Sequence, residues 1–251
     1  MNILLFDVET APNLGTIWSL KTGGYIGVHN ILETSRVMCY AAKWYGSEEI
    51  LFDSEYSSDH YDVVRSLWQL LDEADAVVTY NGDRFDRGVI NREFLLYGMA
   101  PPSPYHSIDL LKVVRKQFKF VSNKLDHIAK ELGIGQKEQH EGHELWLKCM
   151  NKDAEAWKTM ERYNKQDVLL LEDLYDHLLP WIKNHPNHGL YTRSEEMCCP
   201  NCGSVHLKKN GIEHTRTLSY QRYRCKGCGC NVKGKSSILT KEKSGVILTQ
   251  C

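Results

Sequence analysis

Ile3, Leu4, Leu5, Phe6 and Val8 make residues 2–8 an apolar run rather than an alternation, the pattern of a strand buried on both faces. VMCYAAKWY (37–45) and EEILFDS (49–55) predict two more strands, paired as a hairpin around Gly46 and Ser47. Over 58–74, Val63, Val64, Leu67, Leu70 and Leu71 recur at helical spacing. AVVTYN (76–81) reads as a strand ending in Asn-Gly, with a helix following from about Asp86 to Tyr97. The prolines of APPSPYH (100–106) predict a stiff connector; short helices around 108–118 and 122–132 come next, the second ended by Gly133. The longest periodic stretch is 153–178, where Trp157, Met160, Tyr163, Asp167, Leu170, Leu171, Leu174 and Leu178 define one helix, capped by Asp153 and closed by Pro180. Residues 11–35, with Gly15, Gly23, Gly24 and Gly27, have no clear period, and 182–197 reads as a polar linker.

With 251 residues, 25% charged and 42% hydrophobic, the chain suits one ordinary globular core plus a small module. The formal charge of -1 hides a division: residues 1–194 carry 21 Lys+Arg against 28 Asp+Glu, whereas 195–251 carry 10 against 4. An acidic body that holds cations and a basic tail that meets an anionic partner are the expectation. No apolar run approaches the roughly 18 residues of a membrane span, and no secretory leader pattern opens the chain, so a cytoplasmic, non-membrane protein is expected. Seven of the nine cysteines fall between Cys198 and Cys251; an odd, clustered set favours metal ligation over a disulfide framework. His140 and His143 are three apart, but the intervening Gly142 speaks against a helix-borne metal pair.

The first strand runs into Asp7-Val8-Glu9, and alternation along a strand points both carboxylates to one face. Like charges held together cost stability unless a cation joins them. ERYNKQD places Tyr163 and Asp167 four apart, on the apolar stripe of the long helix, and YNGDRFD places Asp86 just after a strand end. Taken singly, each has a plain reading as a strand end, a helix N-terminal acid or the margin of an apolar stripe. Together, four carboxylates form an oxygen-rich set suited to two hard divalent cations.

FDVET, YNGDRFD and YNKQD, in this order, resemble the three motifs of the DEDD 3′→5′ exonucleases, in the tyrosine branch found in proofreading domains of family-B DNA polymerases. The resemblance covers roughly residues 1–180 and implies an RNase H-like mixed sheet flanked by helices. It implies that Asp7, Glu9, Asp86 and Asp167 hold two Mg²⁺ or Mn²⁺ ions, that Tyr163 orients the attacking water, and that Asn81 and Phe85 line the terminal nucleotide. The histidine branch would have its histidine at position 162, where this chain has Arg162.

Cys199-x₂-Cys202 and Cys225-x₂-Cys228, 22 residues apart, have the spacing of a tetrahedral Cys₄ zinc site, with Cys198 and Cys230 adjoining. The surrounding segment resembles the zinc ribbons of transposase-like proteins, with strands VHLKK and SYQRYRC bridged by a loop near Gly211. Lys208, Lys209, Arg222 and Arg224, interleaved with Tyr220 and Tyr223, are candidates to contact phosphates and bases.

The expected layout is an α/β, RNase H-like exonuclease domain over 1–182, a linker over 183–196 and a Cys₄ zinc ribbon over 197–251. The expected substrate is single-stranded DNA with a 3′ end, with a DNA polymerase or repair complex as a compatible partner. RNA 3′-end trimming, a structure-selective endonuclease and an inactive nucleic-acid-binding adaptor remain alternatives. Product lengths and the sugar preference separate them.

Overall fold

The computed structural model describes residues 1–19, 24–138 and 141–249; Gly23, His140 and Cys251 lie outside the described residues. The chain divides into two compact units, Asn2–Leu174 and a second running from Tyr175 to the C-terminus.

The first unit holds a five-stranded mixed sheet. Its strands are β1 (Ile3–Thr10), β4 (Val37–Trp44), β5 (Leu51–Ser54), β6 (Ala76–Thr79) and β7 (His106–Asp109), in the order β5-β4-β1-β6-β7. β1, β6 and β7 are parallel, while β4 and β5 run antiparallel as the predicted hairpin, turned at Gly46 with φ +81°. Among the described residues, 11–35 contribute β2 (Leu14–Gly15), paired with β3 (Ile31–Glu33), and a single 3₁₀ turn over Val28–Asn30.

Helices cover both sheet faces. Leu4, Phe6 and Val8 pack with Val63, Val64, Leu67 and Leu71 of α1 (His60–Glu73) and with Ile90 and Phe94 of α2 (Asp86–Leu96). Alternation then sends Leu5, Asp7 and Glu9 to the opposite face. On that side Met38 and Cys39 pack with Leu145 and Cys149 of α5 (His143–Met150) and with Trp157, Met160 and Tyr163 of α6 (Ala154–Leu178). As the sequence predicts, Asp153 caps α6, accepting from the backbone N–H groups of Glu155 and Ala156 at 2.9 Å.

Two elements depart from the sequence reading. The expected helix over 108–118 is a strand and a helix: β7 ends at Asp109 and α3 spans Leu110–Gln117, followed by α4 (Leu125–Leu132). A four-residue edge strand is too short to show a period, and its parallel pairing to β6 is a non-local interaction. No sequence period marks the helix α5, whose eight residues follow the breaker Gly142, itself at φ +66°.

Lys43 of β4, itself buried, pairs with Glu172 of α6 at 2.5 Å and pins the helix to the sheet. Lys43→Met strands the Glu172 carboxylate in a poorly solvated position, and a loss of about 3 kcal/mol is expected from urea unfolding midpoints. Adding Glu172→Leu removes the stranded charge and should recover most of that loss.

The second unit includes the three-stranded antiparallel sheet β10-β9-β8, formed by β8 (Leu207–His214), β9 (Ser219–Cys225) and β10 (Asn231–Lys233), and the short α7 (Lys241–Gly245). The loop expected near Gly211 is instead a bulge within β8. Asn210 and Gly211 together oppose Arg222, Gly211 taking φ +72°, and the chain reverses at 215–218. The buried Asn201 amide donates to the carbonyls of Leu179 (2.7 Å) and Ile182 (3.0 Å), so the residues just after α6 are tied into this unit.

Candidate metal centre and nucleic-acid cleft

The carboxylates of Asp7, Glu9 and Asp167 offer oxygens within 4.8 Å of one another. Two come from adjacent same-face positions of β1 and the third from α6, so neighbouring layers of the fold assemble the group. Within β1 the register to β4 shifts between Glu9 and Thr10, leaving Met38 as an extra residue; such bulges re-aim side chains beside sites. Asn164, fully buried, donates from Nδ2 to Asp7 Oδ2 at 2.8 Å and fixes that carboxylate. Trp146 of α5 donates to Glu9 and packs edge-on against Tyr163 with ring centroids 6.1 Å apart.

The cluster is electrostatically frustrated. Burial, then the charges of Glu9, Asp167 and Asp86, holds the Asp7 carboxyl well above the usual range. Burial, followed by Asp167, raises Glu9 in the same direction. Two carboxylates that resist ionising beside a third, Asp167, suit a divalent cation, which would remove the repulsion and supply the missing ligand charge.

Asp86, the fourth sequence candidate, is not in the 4.8 Å group. It is the first residue of α2, near enough that its charge raises both Asp7 and Glu9. Burial, and secondarily Asp109, pushes its own pKa up to about 6.

Tyr163 stands on α6 as expected, its hydroxyl 3.2 Å from Lys137 Nζ. Burial, with Asp167, Glu9 and Asp7 beside it, moves its pKa further up, so the hydroxyl stays protonated at neutral pH. Arg162 is exposed and pairs with Glu138 at 3.1 Å.

Lys137 was not singled out from sequence. Its ammonium pairs with Asp167 and lies 5.3 Å from the Tyr163 ring centroid. Burial opposes its charge, but Asp167, Asp7 and Glu9 more than offset that and keep it protonated. Nothing in GIGQKEQ marks it; only the return of this loop against α6 does.

A cavity of about 620 Å³ opens beside the cluster, lined among others by Asp7, Tyr80, Asn81, Arg115, Lys124 and Lys137. Asn81 takes a left-handed conformation (φ +68°), and its backbone N–H donates to Asp109 Oδ1 at 2.9 Å. Asp109 also accepts from the Leu111 N–H at 3.0 Å, joining the β6 turn to the start of α3. Phe85 is exposed, with the Arg84 guanidinium 5.5 Å from its ring centroid. Gly82 is fitted closely here: a Cβ would come within 2.5 Å of Thr79 Oγ1 and 2.6 Å of Thr79 Cβ. Gly82→Ala should therefore cost about 1–3 kcal/mol by thermal or urea unfolding and displace the turn that presents Asn81 and Asp86.

In the second unit, the sulfurs of Cys199, Cys202, Cys225 and Cys228 all lie within 4.8 Å of one another. Cys230, also buried, hydrogen-bonds Cys199 and holds its thiol well below the usual range, while Cys198 stands outside the quartet. Four convergent sulfur donors fit a thiophilic, tetrahedral ion. The strand register separates the basic candidates. Lys208, Arg222, Arg224 and Tyr220 share one sheet face, whereas Lys209 and Tyr223 share the other with Leu207 and Cys225.

The five-stranded mixed sheet with helices on both faces and carboxylates on its first strand defines an RNase H-like α/β domain. The sequence profile of the RNase H superfamily matches residues 29–179, and the chain belongs to that superfamily. Among solved structures, the fold is similar to the family B DNA polymerase from the hyperthermophilic archaeon Pyrobaculum calidifontis, with TM-score 0.54 and 19% identity. That likeness covers 71% of this chain and 24% of the polymerase, so this chain spans about a quarter of that protein. No curated protein matches the sequence. No helix among the described residues is long and apolar enough to cross a membrane.

Proposed function

We propose that this protein is a metal-dependent 3′→5′ exonuclease acting on single-stranded DNA, with a zinc ribbon that helps to hold the nucleic acid. The observation that carries the reading is the convergence of Asp7, Glu9 and Asp167 from β1 and α6, with a mutual repulsion that Lys137 relieves only in part. These three, with Asp86 near them, would hold two Mg²⁺ or Mn²⁺ ions, whose chemistry is activation of water and stabilisation of the departing 3′ oxygen. Cys199, Cys202, Cys225 and Cys228 would hold one Zn²⁺.

The chain's own residues set the geometry. Asn164 and Trp146 fix the orientations of Asp7 and Glu9. A protonated Tyr163 is a poor proton acceptor and serves to orient water by its hydroxyl. Lys137, cationic between Asp167 and Tyr163, offers positive charge to a phosphoryl oxygen. The 620 Å³ cavity has room for a terminal nucleotide, with Tyr80 and Asn81 along its wall and Arg115 and Lys124 to meet phosphate. The 3′→5′ polarity rests on the motif resemblance, and a DNA polymerase or repair complex is a compatible partner.

The test is digestion of 5′-labelled single strands, DNA and RNA in parallel, with and without Mg²⁺. A ladder shortening one nucleotide at a time, faster on DNA, is expected. A faster RNA ladder would make the protein a 3′-end trimming ribonuclease, and internal cuts an endonuclease. Absence of cleavage with retained, salt-sensitive binding would leave a nucleic-acid-binding adaptor.

A further inference from the structure

The three-stranded sheet of the second unit has two unlike faces. Leu207, Cys225 and Val232 pack on one side around the cysteine quartet. On the other, the register sets Lys208 directly opposite Arg224 and Arg224 opposite Asn231, and places Arg222 opposite Lys233. All five of these side chains are exposed. Asn210 reaches across β9 to Asn231, Nδ2 to Oδ1 at 3.3 Å, which places it on the same side.

This face therefore carries two directly opposed like-charge pairs, an arrangement that costs sheet stability. Only part of it is relieved internally. Lys233 pairs with Glu213 at 2.5 Å and sits 5.1 Å from the Tyr220 ring centroid. Among the described residues no carboxylate comes within ion-pair distance of Lys208, Arg222 or Arg224. Cross-strand neighbours are about 5 Å apart, so the four cations form a compact patch across three strands. Gly211 leaves the Arg222 guanidinium uncovered, a Cβ there lying 3.4 Å from its Nη2. A chain of regularly spaced phosphates would neutralise such a patch, and Tyr220 at its end gives a base a ring to stack on.

Taking the ribbon, as proposed above, to hold nucleic acid, we infer that it does so through this face alone. Lys208, Arg222, Arg224 and Lys233 contact the phosphates of a single strand, and Glu213 weakens the contact by holding Lys233. The metal-side residues Lys209 and Tyr223, candidates by sequence, take no part.

The test is fluorescence anisotropy with labelled dT20 on the full chain, without added Mg²⁺ or Mn²⁺ and with Asp7→Asn throughout to keep the probe intact. Arg222→Gln/Arg224→Gln should weaken binding about tenfold at 0.1 M salt and flatten the log–log salt slope by about 1.4, or 0.7 per cation. Lys209→Gln/Lys226→Gln removes the same charge elsewhere in the ribbon and should change affinity less than about twofold. Glu213→Gln should tighten binding about twofold or more, a gain that misfolding cannot produce. Equal weakening by both double variants, or no tightening from Glu213→Gln, overturns the assignment. Because only binding is read, a chain that fails to cleave could still pass this test, and a working nuclease could still fail it.

Discussion

Asp7→Asn is expected to reduce cleavage of a single strand by about 10³-fold or more while raising the stability of the metal-free protein. The first effect follows from removing one of three carboxylates whose oxygens lie within 4.8 Å, which would leave only a pair to hold the proposed divalent ions. The second follows from the repulsion that lifts the Asp7 and Glu9 carboxyls: an amide at position 7 takes one charge out of the cluster. Asparagine is nearly isosteric, and its carbonyl oxygen can still accept the bond from Asn164 Nδ2 now made at 2.8 Å. A gain of about 0.5–2 kcal/mol is expected, the range for substitutions that relieve a strained active site. Thermal unfolding with and without Mn²⁺ checks both parts. The wild-type midpoint should rise with the ion and the variant's should not, because only binding to the folded state stabilises. A metal-free variant less stable than wild type would show that Asp7 serves the core rather than an ion.

Cys225→Ser is expected to abolish zinc retention and unfold the ribbon sheet while leaving the first unit folded. Cys225 is buried, is one of the four sulfurs lying within 4.8 Å of one another and pairs in register with Leu207. The apolar packing of this sheet amounts to little more than Leu207, Val232 and the cysteines, so an ion bound by the four sulfurs would supply most of the folding energy, about 10 kcal/mol or more in modules of this kind. The first unit, by contrast, buries two full helix-on-sheet layers of its own. Zinc content by atomic emission should fall from one per chain to none. Hydrogen exchange should lose protection over 207–233 and keep it in β1, β4 and α6. Full protection of the ribbon strands in the metal-depleted variant would refute this account.

The motifs, the cysteine spacing and the long helix α6 were legible because each is local. An apolar run, a 3.6-residue stripe and a two-residue hook record the physics of their own neighbourhood. Asp7 and Glu9 share a face by strand alternation alone, and Asp167 shares the stripe with Tyr163 by helical spacing alone. What no local pattern encodes is which layers meet. Lys137 lies 30 residues before Asp167 in a loop of glycines and polar residues, and only the packing of that loop against α6 makes it part of the site. Asn164 sits inside the recognised motif, yet its buried bond to Asp7 spans 157 positions. The four-residue β7, whose last residue Asp109 ties down Asn81, is stabilised by its parallel partner and not by its own composition. The ribbon divides in the same way: the sequence determined that it is basic and aromatic, but the register across a bulge at Gly211 decided which cations stand together. A bulge shifts side-chain parity by one, and that shift is a property of two paired strands, not of either sequence.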